Sequence, residues 1–364
     1  MKRREFLQKA GGIAVAGAAT TSIAAPAIAQ GRKEMVIVST WPKDFPGIGV
    51  SSQRLAARIT ELSEGRIVTT YYPAGEKVGA LDAFDEVASG NSQAYTGAEY
   101  YWKGKHPALA YFTTVPFGMT VAERNAWIKF GGGQKLWDEV SDKFGLKALP
   151  CGATGTQMGG WFNKEIETVD DLKGLKMRIP GLGGDVMAKL GVSTVSLPGG
   201  QIFENLVSGS IDATEWVGPY NDYFMKFYEA AKFYYWPGMH EPSATLSLGM
   251  NKSWWSGLSK WEQAIITAAS MEENAAQYDE AQAKNGEYLA KMIEENGVVL
   301  KSFNDEIFEE FANATAEVLE EIRGYDALTQ KVNDEFMAAL REIGGWQKIA
   351  EIAFSNQRNR ILGI

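Results

Sequence analysis

The chain has 364 residues, with 36 Lys plus Arg against 45 Asp plus Glu, a formal net charge of −9, two histidines and one cysteine. That acidity excludes partners bound by neutralising phosphates, so no nucleic acid is expected, and an anionic membrane surface is disfavoured for the same reason. His106, His240 and Cys151 cannot form a Cys/His zinc cluster or an internal disulfide, and they leave little for histidine-based catalysis.

Residues 1–29 read as an export signal. Lys2-Arg3-Arg4-Glu5-Phe6-Leu7 is a twin-arginine start, an Ala/Gly/Thr run follows, and Ala27-Ile28-Ala29 matches a cleavage pattern before Gln30. The run is poor in Leu, Phe and Val, which argues against an uncleaved anchor. The leader carries +3 (Lys2, Arg3, Arg4 and Lys9 against Glu5), so the exported chain carries −12. Its expected compartment is the periplasm, reached by the twin-arginine route.

Strand candidates follow in order: Met35–Thr40, Arg66–Tyr72, Leu146–Cys151, Gly174–Arg178, Val192–Leu197, Ala213–Val217, Ala244–Met250 and Val298–Ser302. Helical runs fall between them at Val50–Ser63, Val78–Ser89, Ala122–Ala126, Gly183–Leu190 and Gln201–Ser208. This alternation predicts an α/β fold with largely parallel sheets. Ser259 followed by Glu262 is a capping box, and from there to Asn296 only Gly286 interrupts, which predicts one long helix or two in close succession. Residues 304–364 are charged and amphipathic, with breaks expected near Gly324 and Gly344-Gly345. Their apolar faces require a partner, either the chain's own core or a second copy.

No nucleophile elbow, C-x-x-C, H-E-x-x-H, phosphate-binding loop or dinucleotide fingerprint occurs. The informative residues lie instead at turns rich in Gly and Pro. They are Gln157 in Thr154-Gly155-Thr156-Gln157, Arg178 at the end of a strand, Glu215-Trp216 before Val217-Gly218-Pro219, and Glu241 before Pro242. Each alone suits an ion pair or a polar turn. Together, an arginine fork can grip a carboxylate, and two Glu, a Gln and a main-chain carbonyl suit Na⁺ or Ca²⁺ rather than zinc or copper. Tyr100-Tyr101-Trp102 and Phe233-Tyr234-Tyr235-Trp236 are candidate cleft walls or core.

Gly174-Leu175-Lys176-Met177-Arg178, Ile211 to Tyr220, Thr154 to Trp161 and Val115-Pro116-Phe117-Gly118 closely resemble the solute receptors of tripartite ATP-independent periplasmic (TRAP) transporters. The branch resembled is that of 2-oxo and 2-hydroxy monocarboxylate receptors, where substrate binds with a cation. The resemblance implies that Arg178 grips the ligand carboxylate and Gln157 contacts both ligand and cation. It also implies that Glu215, the Trp216 carbonyl and Glu241 complete the cation shell, with Tyr101 as a wall or hydrogen-bond donor. Ile179-Pro180-Gly181 stands where those receptors have a Gly-Gly-type turn, and Glu99-Tyr100-Tyr101-Trp102 replaces a more aromatic run, which leaves the acid open.

The implied fold is a two-lobe periplasmic binding protein with a long bridging helix and a C-terminal helical extension. Residues 30–152 with about 244–258 form lobe I, and 153–243 form lobe II. Residues 259–296 form the bridging helix, and 297–364 a strand and C-terminal helices suited to a homodimer. The expected function is delivery of a small acid such as pyruvate or lactate to a TRAP permease. The alternative is a periplasmic lyase-like enzyme using the Glu pair.

Overall fold

The computed structural model describes residues 31–364, and the expected export signal lies outside them. Two sheets organise the molecule. The first runs in the order β2-β1-β3-β10-β4, built from β1 (Lys33–Ser39), β2 (Ile67–Tyr72), β3 (Ala94–Gly97), β4 (Leu146–Ala153) and β10 (Thr245–Asn251). The second runs β11-β9-β5-β8-β6-β7. Its strands are β5 (Gly160–Phe162), β6 (Lys176–Arg178), β7 (Ser193–Val195), β8 (Ala213–Thr214), β9 (Phe233–Trp236) and β11 (Val299–Ser302).

The sheets are mixed, not simply parallel. β10 runs against both β3 and β4, and β5 runs against both β8 and β9. Both exceptions have one cause. A parallel neighbour needs a crossover connection, whereas β5 and β10 arrive straight from the other sheet, through residues 154–159 and 237–244.

Local sequence explains the helices that matter here. α1 (Ile48–Leu62) covers the first sheet with Leu55, Ala56 and Ile59. α9 is one unbroken helix of 37 residues, Lys260–Asn296. It starts at the expected Ser259/Glu262 capping box and ends at Gly297 in the left-handed region, where a glycine meets no Cβ penalty. It packs on β4 and α1 of the first lobe and on α7 (Pro219–Met225) of the second, and so bridges the two. None of the helices among the described residues is long and apolar enough to cross a membrane.

The C-terminal extension divides between the lobes. α10 (Asp305–Arg323) buries Ile307, Phe311 and Val318 against Phe162, Met177 and Val186. The chain breaks at Gly324, as expected, and α11 (Ala327–Ile349) returns to the first lobe. There Phe336 meets Trp127 edge-on at 5.2 Å, and Asn333 accepts a hydrogen bond from the Tyr111 hydroxyl at 2.9 Å. The second expected break is wrong. α11 runs through Gly344-Gly345 and stops at Ala350. Glycine costs a helix only about 1 kcal/mol, and Gly344 lies close to Glu123, where a Cβ would come within 3.1 Å of its carboxylate. α12 (Glu351–Leu362) buries no residue.

Phe336 is the anchor that ties α11 to the first lobe, with no exposed surface. Phe336→Ala is expected to cost about 3–5 kcal/mol, read as a lower urea midpoint for the first lobe. An unchanged midpoint would mean that α11 does not contribute to that lobe's stability.

Candidate ligand and cation site

The two crossing segments are joined to one another. Thr154 N–H donates to Ala244 O at 3.0 Å, Gln157 N–H to Glu241 O at 3.0 Å, and Gly238 N–H to Gln157 O at 2.9 Å. Gly160 must be glycine here. Its φ is +121°, and a Cβ would lie 2.7 Å from Thr214 O. Beside this junction β6 and β8 run parallel, with Arg178 opposite Thr214. Arg178 and Glu215 thus emerge side by side at the C-terminal ends of parallel strands, where open α/β sheets place their ligands.

Both charges are buried, Arg178 to 1 % exposure and Glu215 to 0 %. Arg178 Nη1 pairs with Glu215 Oε1 and also reaches the Glu215 main-chain oxygen at 3.3 Å, while Nε donates to Leu197 O at 3.1 Å. Nη2 has no hydrogen-bond partner among the described residues. The guanidinium carbon lies 5.2 Å from the centre of the Trp216 ring, a cation–π distance. Trp216 is itself met edge-on by Phe45 at 6.0 Å.

The second carboxylate is Glu241, also buried. Gln157 Nε2 donates to its Oε2 at 2.6 Å, and the Tyr100 phenol is among the groups that favour its ionised form. Burial, and then the nearby Glu215 charge, push its carboxyl up to about 8. Arg178 relieves it least among the groups that act on it, so this acid lacks a full counter-charge. His240 lies between them in sequence and space, with Nε2 3.3 Å from Glu215 Oε2. Burial lowers the imidazole's basicity, but the hydrogen bond and charge of Glu215 outweigh it and the ring's pKa is raised.

The residues fit a hard cation. Glu215, His240 and Glu241 each offer a donor atom within 4.8 Å of the others. Gln157 Oε1 is buried with no partner, because Nε2 takes the bond to Glu241. An orphaned amide oxygen beside two carboxylates is the donor chemistry of Na⁺ or Ca²⁺. Tyr101, Gln157, Arg178 and Trp216 line one cavity of about 310 Å³, its mouth included, with Trp41, Ile48, Ala98 and Leu246 as an apolar end. Structure therefore brings together Gln157, Arg178, Glu215, Trp216 and Glu241, with Tyr101 on the wall. Sequence reasoning missed His240. Its adjacency to Glu241 was the one available signal, while the glycines that make room for it, Gly183 and Gly238, are legible only in three dimensions.

Residues 37–324 match the family of bacterial extracellular solute-binding proteins, family 7. A monocarboxylate 2-oxoacid-binding periplasmic protein of Nostoc sp. is 39 % identical over 365 residues, which is 98 % of each chain. A TRAP periplasmic solute-binding protein from Pseudoalteromonas atlantica, solved with bound sodium and pyruvate, is 37 % identical with a TM-score of 0.86, over 89 % of this chain and 99 % of that one. A TRAP solute-binding protein from Bordetella bronchiseptica, solved as a mixed-occupancy dimer with copurified calcium and picolinate, is 32 % identical with a TM-score of 0.89, over 91 % and 98 %. A buried arginine and acid pair at the junction of two lobes, in a chain so matched from end to end, makes this protein a member of solute-binding family 7, the periplasmic receptors of TRAP transporters, which carry solutes and are not enzymes.

Proposed function

We propose that this receptor binds a small 2-oxo or 2-hydroxy monocarboxylate, such as pyruvate or lactate, together with Na⁺ or Ca²⁺, and delivers it to a TRAP membrane permease. The observation that carries the reading is the buried Arg178–Glu215 pair beside an undercompensated Glu241 and an orphaned Gln157 Oε1. Arg178 has one nitrogen left to add a ligand carboxylate. Gln157 touches ligand and cation. Glu215, the main-chain carbonyl of Trp216 and Glu241 hold the cation, and Tyr101 walls the cavity. When bound, the cation supplies positive charge and nothing else. The relatives that carry pyruvate with sodium, and picolinate with calcium, support a co-bound ion.

The lobes are assigned as residues 30–152 with about 244–258, and 153–243, joined by the helix 259–296. The twin-arginine route of export is part of the same proposal. So is a homodimer through the C-terminal helices. In its support, Ile349 at the end of α11 and Phe354, Ile361 and Leu362 on α12 are each more than 60 % exposed among the described residues, and one relative was solved as a dimer.

Arg178→Lys is expected to weaken pyruvate binding about 30-fold or more, because a lysine ammonium cannot hold Glu215 and Leu197 O in the planar arrangement that leaves Nη2 free for the ligand. Calorimetric titration is the test, and near-native affinity removes Arg178 from the site. Chelating Ca²⁺ and replacing Na⁺ by a bulky organic cation is expected to abolish the thermal stabilisation given by pyruvate. Full stabilisation in that buffer excludes the cation role of Glu215 and Glu241. Deleting residues 351–364 is expected to convert a dimer into a monomer in sedimentation. A full chain that is already monomeric overturns the dimer.

A further inference from the structure

A second cavity lies directly outside the first. This outer groove is larger, about 560 Å³, and is bounded by Ile179, Pro180, Val195 and Ser196 and by the Lys103–Asp185 ion pair that spans the lobes. The inner cavity and the outer groove share two residues, Tyr100 and Tyr101.

The two tyrosines are not equivalent. Tyr100 is fixed: 6 % exposed, with its main-chain N–H bonded to Thr113 Oγ1 at 3.1 Å. Its ring also lies against Gly181, whose missing Cβ would come within 3.2 Å of it. Tyr101 is half-buried. It stands edge-on to Tyr100 at 4.9 Å and to Trp102 at 6.2 Å, and it lines the inner cavity together with Trp41 and Arg178. With a carboxylate on Arg178 and a cation against the acids, a ligand's remaining atoms have only the apolar end of the cavity to occupy. Of the two tyrosines that face both spaces, Tyr101 is the less fixed, because it is only partly buried and packs on the core from its margin.

We propose that Tyr101 is the specificity gate of this receptor: its ring closes the inner cavity to short acids, and the groove behind it is a channel that a longer aliphatic tail would occupy if the ring were absent. This rests on the monocarboxylate reading above and adds the length limit of the substrate. The physical basis is simple. A tail that cannot pass the ring must displace it or stay in water, whereas each methylene buried in the groove is worth about fourfold in affinity.

The test is calorimetric titration of the full-length receptor with a straight-chain 2-oxo acid series from pyruvate to 2-oxooctanoate, in sodium buffer. The native protein is expected to bind pyruvate and to lose affinity steeply as the chain lengthens. Tyr101→Gly is expected to bind 2-oxooctanoate more tightly than the native protein does, on the order of 60-fold for three methylenes brought into the groove. Tyr101→Leu, which keeps a side chain in the wall, gives a smaller gain and serves if the glycine variant fails to fold. Adding Val195→Trp to either variant fills the groove and is expected to cancel the gain. Parallel length profiles in native and variant proteins overturn the gate, as does a gain that Val195→Trp leaves intact. A native protein that binds no member of the series fails differently: it overturns the monocarboxylate reading, and the gate with it.

Discussion

The site depends on one interaction, the ion pair of Arg178 and Glu215 taken wholly out of water. Desolvating two such charges costs several kcal/mol for each ion, and their attraction offsets this only when the remaining donors and acceptors are also satisfied. Here most are. Arg178 spends Nε on Leu197 O and Nη1 on Glu215, and Glu215 gives its second oxygen to His240. What is left over is Nη2 on one side and, on the other, the Glu241 carboxyl, which burial and the Glu215 charge push up to about 8 because its ionised form lacks a counter-charge. A carboxylate ligand answers the first deficit and a cation the second. Neither is well placed alone, because an added anion would raise the negative potential that Glu241 already feels, and an added cation would weaken the hold of Glu215 on Arg178. Coupled uptake of the two is the electrostatic solution that keeps this pocket near neutrality.

The scaffold makes that pocket from the places where the chain changes lobe. Residues 154–159 and 237–244 cross together and share main-chain hydrogen bonds, so Gln157 and Glu241 are set by backbone rather than by side-chain packing. Around the rim the lobes already touch. Asn221 Nδ2 donates to Pro46 O at 2.8 Å, Phe45 meets Trp216, and Arg54 on α1 binds Glu273 and Glu280 on α9. Glu280 in turn accepts from the Tyr220 hydroxyl at 3.2 Å. Together with the Lys103–Asp185 pair at the outer groove, these contacts hold the lobes against one another, so passage of a ligand requires them to part. The crossing segments are the natural place for the required change in backbone angles.

Much of this was legible in the chain because Arg178 and Glu215 stand at strand ends and Gln157 and Glu241 lie in connections marked by Gly or Pro, where turn chemistry exposes side chains. The misses have physical reasons. β5 is only Gly-Trp-Phe, too short to show alternation, and its pairing is fixed by β8 and β9, far away in sequence. Phe233-Tyr234-Tyr235-Trp236 suggested a cleft wall or core and is strand β9, with Tyr234 stacked on Trp161 at 4.0 Å in the interior. A run of aromatics states that something large is buried but not against what. α4 (Gly133–Asp142) opens on the last of three consecutive glycines, which argue locally for a loop, yet Leu136, Trp137 and Val140 give it a buried face. Gly218-Pro219 read as a rigid turn. It is also the start of α7, where proline at the first helical position is favoured.

α7 shows why a site cannot be read from its contact residues alone. Asp222, in its first turn, accepts the Val217 N–H at 3.1 Å, the Trp161 indole at 2.9 Å and the Tyr234 hydroxyl at 2.8 Å. Burial raises this carboxyl to about 7 despite those three donors, so it sits in a strongly desolvated place. Its bond to Val217 fixes the peptide that follows Trp216, and with it the direction of the Trp216 carbonyl. Trp161 belongs to β5, the strand that crosses straight from the first sheet, and Tyr234 to β9, the strand that leads back. One buried aspartate therefore links both crossing strands to the loop that carries Glu215 and Trp216. Positions outside the cavity lining thus set the angle of the loop that carries Glu215 and the Trp216 carbonyl, and a change in this layer would move the proposed cation ligands on that loop without altering any of them.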